Sequence, residues 1–421
     1  MNIKTVFRAL RHKNYRLFFA GQSISLIGTW MQQIAVSWLV YRMTNSAFLL
    51  GLVGFSSQIS TFLLAPLAGV IADRHHRHRL LLITQSLAML QAVVLYVLYV
   101  THHIAVWHII LMSLFLGAVN AFDIPVRQSF TVDMINDRED LSNAIALNSS
   151  MVNAARLIGP SIGGILIALF GEGTCFLINA LSYIAVLLSL AMMKLPRWER
   201  SSRHKGSVVL QLKEGFLYAV NFMPIRTILM LLSVISLVAG GVQALMPVFA
   251  RDIFHGGSRT LGILMASSGL GALTGAIYLA SRKNVLGLGK VIAFTAALFG
   301  LGVIVFSRIS VLMIAMPILL FSGFGMMVQM ASSNIILQTI VEEDKRGRVM
   351  SFYTMAFMGL SPFGSLFSGL LAARIGANNT LLGGGFFCII AAITFAVQLP
   401  ILRKFVRPVY IQKGIIVEPI Q

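Results

Sequence analysis

The chain has 421 residues, 57% of them hydrophobic and 11% charged, against roughly 45–50% and 25% in soluble domains. That excludes a soluble globular fold, since so much apolar surface finds no interior of matching size, and leaves an all-α polytopic membrane protein. The formal charge of +19 comes from 33 Lys and Arg against 14 Asp and Glu, and these lie almost wholly between apolar runs, which marks membrane loops rather than a nucleic-acid groove.

The chain begins with a basic segment (Lys4, Arg8, Arg11, Lys13, Arg16) followed by a long apolar run with no small-residue cleavage site. The first run is therefore a retained span rather than a signal peptide. Apolar runs near 16–41, 48–72, 80–101, 104–127, 143–170, 174–194, 226–250, 259–281, 290–307, 311–337, 348–373 and 379–402 predict twelve transmembrane helices. Span one carries a polar stripe of Gln22, Ser25, Thr29 and Gln32 or Gln33. Span two runs into Gly69-Val-Ile-Ala-Asp-Arg-His-His-Arg-His-Arg79. So dense a charge cannot lie in hydrocarbon, so this is a short connection at one membrane face. A metal reading of His75, His76 and His78 is disfavoured, because Arg74, Arg77 and Arg79 repel a cation and only Asp73 adds a ligand.

In span four, Ser113 precedes Asn120, Asp123 and Arg127, whose i, i+3, i+7 spacing puts them on one helix face that should look into the bundle. A functional role and a capping or interfacial role weigh equally for Asp123 and Arg127. Span five holds Arg156, about thirteen residues in and so roughly 20 Å deep, where an arginine needs a partner, water or a substrate anion. Gly159-Pro160-Ser161-Ile162-Gly163-Gly164 follows it.

The longest polar interruption, from Lys194 to about Arg226, splits the runs into six and six. Within it Val209, Leu212, Phe216 and Val220 recur at helical spacing, which fits a short amphipathic helix on the membrane surface. The expected organisation is an N-terminal segment (1–15), a six-helix bundle (16–194), a linker (195–225), a second six-helix bundle (226–402) and a tail (403–421). Span seven carries Ser233, Ser236 and Gln243, and span ten Ser322, Gln329 and Ser333. Small residues four apart mark close helix contacts: Ala65 and Gly69, Gly159 and Gly163, Gly271 and Gly275, and Ser361, Ser365 and Gly369. The halves echo one another, with Gly164 to Gly171 aligning without gaps on Gly369 to Gly376.

Of the basic residues, Arg42, Arg251, Arg259, Arg308 and Arg374 fall on one side, Arg156 lies within a span, and the remaining 27 share the side of the N-terminus. The positive-inside rule places both termini in the cytoplasm. Cys175 and Cys388 are isolated and carry no disulfide or metal framework. There is no phosphate-binding Gly-x-x-x-x-Gly-Lys-Ser/Thr, no His-Glu-x-x-His and no Gly-x-Ser-x-Gly elbow, since Gly159-Pro-Ser-Ile-Gly163 lies inside an apolar run and not at a strand-to-helix turn, so neither a cofactor nor an enzymatic activity is expected.

The spacing of Gly69, Asp73, Arg74, Arg77 and Arg79 resembles the signature loop of major facilitator superfamily transporters, with His76 where that family usually has glycine. Gly159 to Gly164 resembles the core of the antiporter signature of exporters, with Ala146 and Ala155 at the places of earlier glycines. Gln22, Ser25, Gly28 and Trp30, with Asp123-Ile-Pro-Val-Arg127, resemble the branch that contains enterobactin and macrolide exporters. The resemblance spans Phe7 to about Leu402. It implies two six-helix pseudo-repeats in which spans two and eleven meet, as do five and eight. Gly159, Pro160, Gly163, Gly164, Gly271, Gly275, Ser365 and Gly369 would sit at those contacts.

The resemblance further implies that Gly69, Asp73, Arg74, Arg77 and Asp123 form a conformational latch, Arg77 pairing with Asp123. Spans one, four, seven and ten would line a cavity, making Gln22, Thr29, Gln33, Asn120, Asp123, Arg127, Arg156, Gln243 and Gln329 the candidates for substrate binding or coupling. The implied activity is secondary active efflux of a siderophore or amphipathic drug, by alternating access in exchange for protons, by a monomer in the inner membrane. A non-transporting assembly protein on the same fold, and an importer, are the alternatives.

Overall fold

In the computed structural model the described residues are 7–135, 137–193, 217–282, 284–343 and 345–416. Hydrocarbon offers no partner to a peptide group, and a helix satisfies its backbone within one segment. The apolar runs accordingly form twelve long helices among the described residues: α1 (Lys13–Thr44), α2 (Ala47–Arg74), α3 (Arg77–Val100), α4 (Val106–Asp133), α5 (Arg138–Phe170), α6 (Glu172–Ala191), α7 (Met223–Val248, followed by a π-turn, Phe249–Ile253), α8 (Ser258–Ala280), α9 (Leu288–Phe306), α10 (Leu312–Ile340), α11 and α12 (Ala377–Gln412). α11 runs Arg346–Thr354, passes through a π-turn (Met355–Gly359) and resumes as Ser361–Ile375. Eleven are long and apolar enough to cross a membrane by length and composition. α1 has the length, 32 residues, but its polar stripe dilutes the apolar content.

Side-chain placement is inside-out relative to a soluble protein. Phe294 and Val397 are 67% and 72% exposed, whereas Asn179 and Gln329 are fully buried. Lipid rewards that arrangement and water penalises it.

Two segments depart from expectation or escape it. α12 continues past residue 402 to Gln412, because hydropathy locates the end of a span and not of a helix. Leu402 and Tyr410 stay buried, and Lys413 Nζ donates to Thr339 O at 2.7 Å, so the extension keeps a packed face. The amphipathic helix expected between 195 and 225 lies mostly outside the described residues, which resume with helical backbone at 217.

The chain divides into two compact units, Met1–Ser202 with Ala244–Gly269, and Arg203–Gln243 with Leu270–Gln421. In the first, α1 packs on α5 and α6, α2 on α4, and α3 on α4 and α6. Their shared core holds Tyr15, Phe18, Leu81, Val126, Phe130, Val186 and Leu190. A Cβ at Gly28 would fall 2.7 Å from Asn179 Oδ1, and one at Gly117 would fall 2.8 Å from Ser57 O, so both glycines permit backbone approach. In the second unit α9 packs on α10 and α12, and α11 on α12.

The small residues of α5 divide between two partners. Gly159 and Gly163, four apart and so on one face, turn towards Trp30, Met31 and Ile34 of α1 rather than towards α8. Gly164, about 100° further round, meets Ser258 and Gly262 of α8, and the carbonyl of Pro160 also faces Gly262. Gly271 and Gly275 face Leu320 and Phe324 of α10, not α5. Ser365 Oγ donates to Gly240 O of α7 at 3.1 Å, and Gly369 is buried. The spacing identified contact faces, but a four-residue repeat carries no label for the partner helix.

Gly171, between α5 and α6, has φ +81° and ψ 171°; Gly376, between α11 and α12, has φ +85° and ψ 155°. That region of backbone space belongs almost only to glycine. The two aligned glycines thus make the same turn.

Candidate transport site

α4 is interrupted by Pro125 yet stays helical, and the face it turns inward carries a buried carboxylate. Asp123 is 3% exposed. Its Oδ1 accepts from Thr84 Oγ1 at 2.8 Å and from Gln85 Nε2 at 2.7 Å, both on α3. Arg127, one turn along, brings Nε to 3.5 Å from Oδ2. The carboxylate thus receives two neutral donors and faces one cation, the partners a buried carboxyl group needs once water is excluded. Asn120 lies half-buried on the same helix.

Arg77 does not reach Asp123. Its Nη1 pairs with Asp133 Oδ1 at 2.8 Å and donates to Ser129 O at 3.4 Å. The physical reason is reach and competition: Asp133 closes α4 beside the start of α3, whereas Asp123 lies about 15 Å further along the helix and is taken by Arg127. The side chains of Asp73 and Arg74, and the surroundings of Gly69, fall outside the described residues.

On α1 the stripe follows residues 22, 25, 29 and 32, and the member of the Gln32–Gln33 pair that belongs to it is Gln32. Gln33 is exposed, because one further residue turns the side chain by about 100°. Gln22 and Ser25 are buried, and Thr29 Oγ1 donates to Ser25 O at 2.9 Å, with Tyr183 OH at 3.4 Å. Gln32 Nε2 donates to Gln91 Oε1 at 2.8 Å, and Asn179 Nδ2 donates to Gln32 Oε1 at 2.8 Å. A buried amide chain therefore joins α1, α3 and α6. Gln91 and Asn179 were not among the expected residues, although a glutamine and an asparagine inside apolar runs were the available signal.

In the second unit, Gln329 is fully buried on α10. Its Nε2 lies 3.3 Å from Ser333 Oγ, which itself donates to Gln329 O at 2.9 Å. Gln329 Oε1 has no hydrogen-bond partner among the described residues, nor do the hydroxyls of Ser322 and Ser332. Ser236 Oγ of α7 donates to Phe357 O in the π-turn of α11, and Gln243 is half-buried.

Arg156 stands half-buried in α5, with its guanidinium carbon 5.6 Å from the centroid of the Trp30 ring. Leu26, Met151 and Ala155 form a small apolar cluster beside it, with Phe19, Ile27 and Trp30 packed on.

Ion pairs fix the two ends of the first unit. At the end holding the N-terminus, Asp140 receives Arg8, Arg11 and His12, and Arg11 also pairs with Asp137 at 2.6 Å. His12, Asp137 and Asp140 bring their ligand atoms within 4.8 Å of one another, but two arginines already occupy those carboxylates, so the cluster is an ion-pair clasp. At the other end, fully buried Glu172 pairs with Arg42 at 3.0 Å and accepts from Tyr99 OH at 3.0 Å. Close by in sequence, Tyr41 OH donates to Asp252, and Arg251 donates to Asn45 Oδ1 at 2.5 Å. His78 is bound to Leu190 O at 2.9 Å, so it serves packing between α3 and α6.

Residues 4–406 match the family described as transmembrane secretion effectors. Among characterised proteins, the chain is 29% identical to the staphyloferrin A transporter of Staphylococcus aureus, covering 90% of this chain and 95% of that one. It is 22% identical to macrolide efflux protein A of Streptococcus pyogenes, over 91% and 96% of the two chains. It is 23% identical to the enterobactin exporter of Citrobacter koseri, over 96% of each. A solved structure of a POT family transporter shares the fold, with a TM-score of 0.72 at 12% identity over 92% of this chain and 96% of that one.

Proposed function

Since the chain belongs to the transmembrane secretion effector family of major facilitator transporters, we propose that it exports a siderophore or an amphipathic drug across the inner membrane. The observation that carries this reading is the length of the match: relatives that carry staphyloferrin A, macrolides or enterobactin in their names align over at least 90% of this chain and 95% of their own. Export proceeds by alternating access of two six-helix bundles, 16–194 and 226–402, in a monomer, with both termini in the cytoplasm and protons as the counter-ion.

Asp123 is the coupling group in this reading. A carboxylate held by two neutral donors and one arginine changes its hydrogen bonding when it takes up a proton, since a protonated acid donates where it had only accepted. Arg127 is then released from its partner, which supplies a local switch. The Gly69–Arg79 loop acts as the conformational latch, with Arg77 held on Asp133 in this state and Gly69, Asp73 and Arg74 completing it. Gln22, Thr29, Asn120, Gln243 and Gln329 supply polar contacts along the path.

The test is comparative metabolite profiling of cells with and without the gene, inside and outside, under iron limitation and under drug challenge. Cells lacking the gene should retain an iron-chelating or amphipathic compound that the parent releases. Identical profiles under both conditions would overturn the export reading.

A further inference from the structure

An arginine in the middle of a membrane-spanning helix has to be explained by what lies opposite it. Arg156 is eighteen residues after Arg138 and fourteen before Phe170 within α5, which at ~1.5 Å per residue puts it roughly 20 to 27 Å from the helix ends. Placing an arginine at that depth is costly, because the charge leaves water for a medium that solvates it poorly. Its contact with the Trp30 ring offsets only part of that cost. The position remains under-compensated unless an anion or water meets it.

The other acids nearby are committed. Among the described side chains of the same unit Asp123 is held by Thr84, Gln85 and Arg127, Asp133 by Arg77, Asp137 and Asp140 by Arg8, Arg11 and His12, Glu172 by Arg42 and Tyr99, and Asp252 by Tyr41, while exposed Glu139 stands at the far end of α5, about 25 Å from Arg156 along the helix. Among the described residues no carboxylate lies within ion-pair distance of the Arg156 guanidinium. Its contact with the Trp30 ring uses none of its N–H donors, which stay available for an oxyanion.

The local sequence builds this geometry. Gly159 follows Arg156 by three residues on the same helix, and a Cβ there would fall 2.5 Å from Trp30 Cβ. Glycine therefore lets α1 approach α5 closely enough to bring the indole beneath the guanidinium. Phe19 and Ile27, only partly buried over the packed core of Leu26, Met151 and Ala155, supply apolar surface beside the charge.

We propose that Arg156 and Trp30 form an anion-binding subsite that selects cargo with a carboxylate attached to an apolar or aromatic body. The guanidinium takes the carboxylate by paired N–H donors, the indole holds the guanidinium in place, and the apolar surface receives the body. This rests on the export reading, which it sharpens by naming the charge and the shape of the cargo.

The experiment uses purified full-length protein in nanodiscs and two probes of the same shape, 2-naphthoate and 2-naphthamide, which differ in charge. Binding is read by quenching of tryptophan fluorescence and by the ligand-induced rise in melting temperature. The wild type should bind the carboxylate at least tenfold more tightly than the amide. Arg156→Gln should erase that preference by weakening carboxylate binding far more than amide binding, and Arg156→Lys should keep part of it, since an ammonium retains the charge but not the paired donors. Trp30→Phe should weaken carboxylate binding several-fold. Melting of each unliganded variant checks that it is folded, and the lysine variant carries the test where the glutamine variant does not fold. Equal affinity of the wild type for both probes, or an unchanged preference in the folded variants, overturns the subsite. Because the assay requires no transport, a preference that depends on Arg156 beside unaltered metabolite profiles would sink the export reading and leave the subsite standing.

Discussion

Asp123 shows how much one side chain can be asked to do. Its place on one face with Arg127 was legible from the spacing, and its inward direction followed from the cost of facing lipid, but the partner expected for it was Arg77, which pairs with Asp133 instead. Thr84 and Gln85 were not legible as its partners, because helical periodicity fixes a face on one helix and says nothing about the residue a neighbour presents. For the same reason Gln32 was readable as one of two candidates, while Gln91 and Asn179 stayed hidden in spans three and six. Asp123→Asn keeps the shape and can still turn its amide oxygen towards Thr84 and Gln85, so the variant should fold. It removes the titrating group and the charge facing Arg127. In proteoliposomes with an imposed pH gradient, proton-driven efflux by the variant should fall to background while substrate binding persists. An unchanged dependence on the gradient would exclude Asp123 from coupling.

Between helices, glycine position decides whether two backbones can touch. Gly271 faces the carbonyl of Leu320 so closely that an added Cβ would overlap it, and a backbone oxygen inside a helix cannot step aside. Gly383 sits in the interior of α12 with no atom within 4 Å of a built Cβ. The same substitution should therefore have opposite signs at the two places. Gly271→Ala should destabilise by about 1–3 kcal/mol as overpacking does, and Gly383→Ala should stabilise by ~0.5–1 kcal/mol through reduced backbone freedom. Melting curves of the two purified variants against the parent read this directly, and a shift of the same sign in both would contradict the packing described for α8 and α10. The small-residue spacing announced Gly271 as a contact. The π-turns were not announced: Pro247 and Pro362 flank them in sequence, but a proline signals only that a backbone donor is missing, not that the chain will widen to present Phe357 O to Ser236.

For the whole molecule, the twelve spans and the doubling of the chain were readable because both are written in repeated features. Lipid demands a helix for each apolar run, and Gly171 and Gly376 make matching turns at aligned positions. The side of the membrane is written only in charge. An even number of spans puts the termini on one face, and that face carries 27 of the 33 Lys and Arg by the loop assignment. Positively charged loops near span ends resist translocation, whereas the opposite face presents only Arg42, Arg251, Arg259, Arg308 and Arg374. A green fluorescent protein fused after Gln421 should therefore fluoresce, and alkaline phosphatase fused there should be inactive, because the first matures in the cytoplasm and the second only outside it. Phosphatase fused after Asn45, in the turn between α1 and α2, should be active. Swapped activities at the two positions would invert the protein and move Asp140's clasp, the Gly69–Arg79 loop and the basic end of α12 to the outer face.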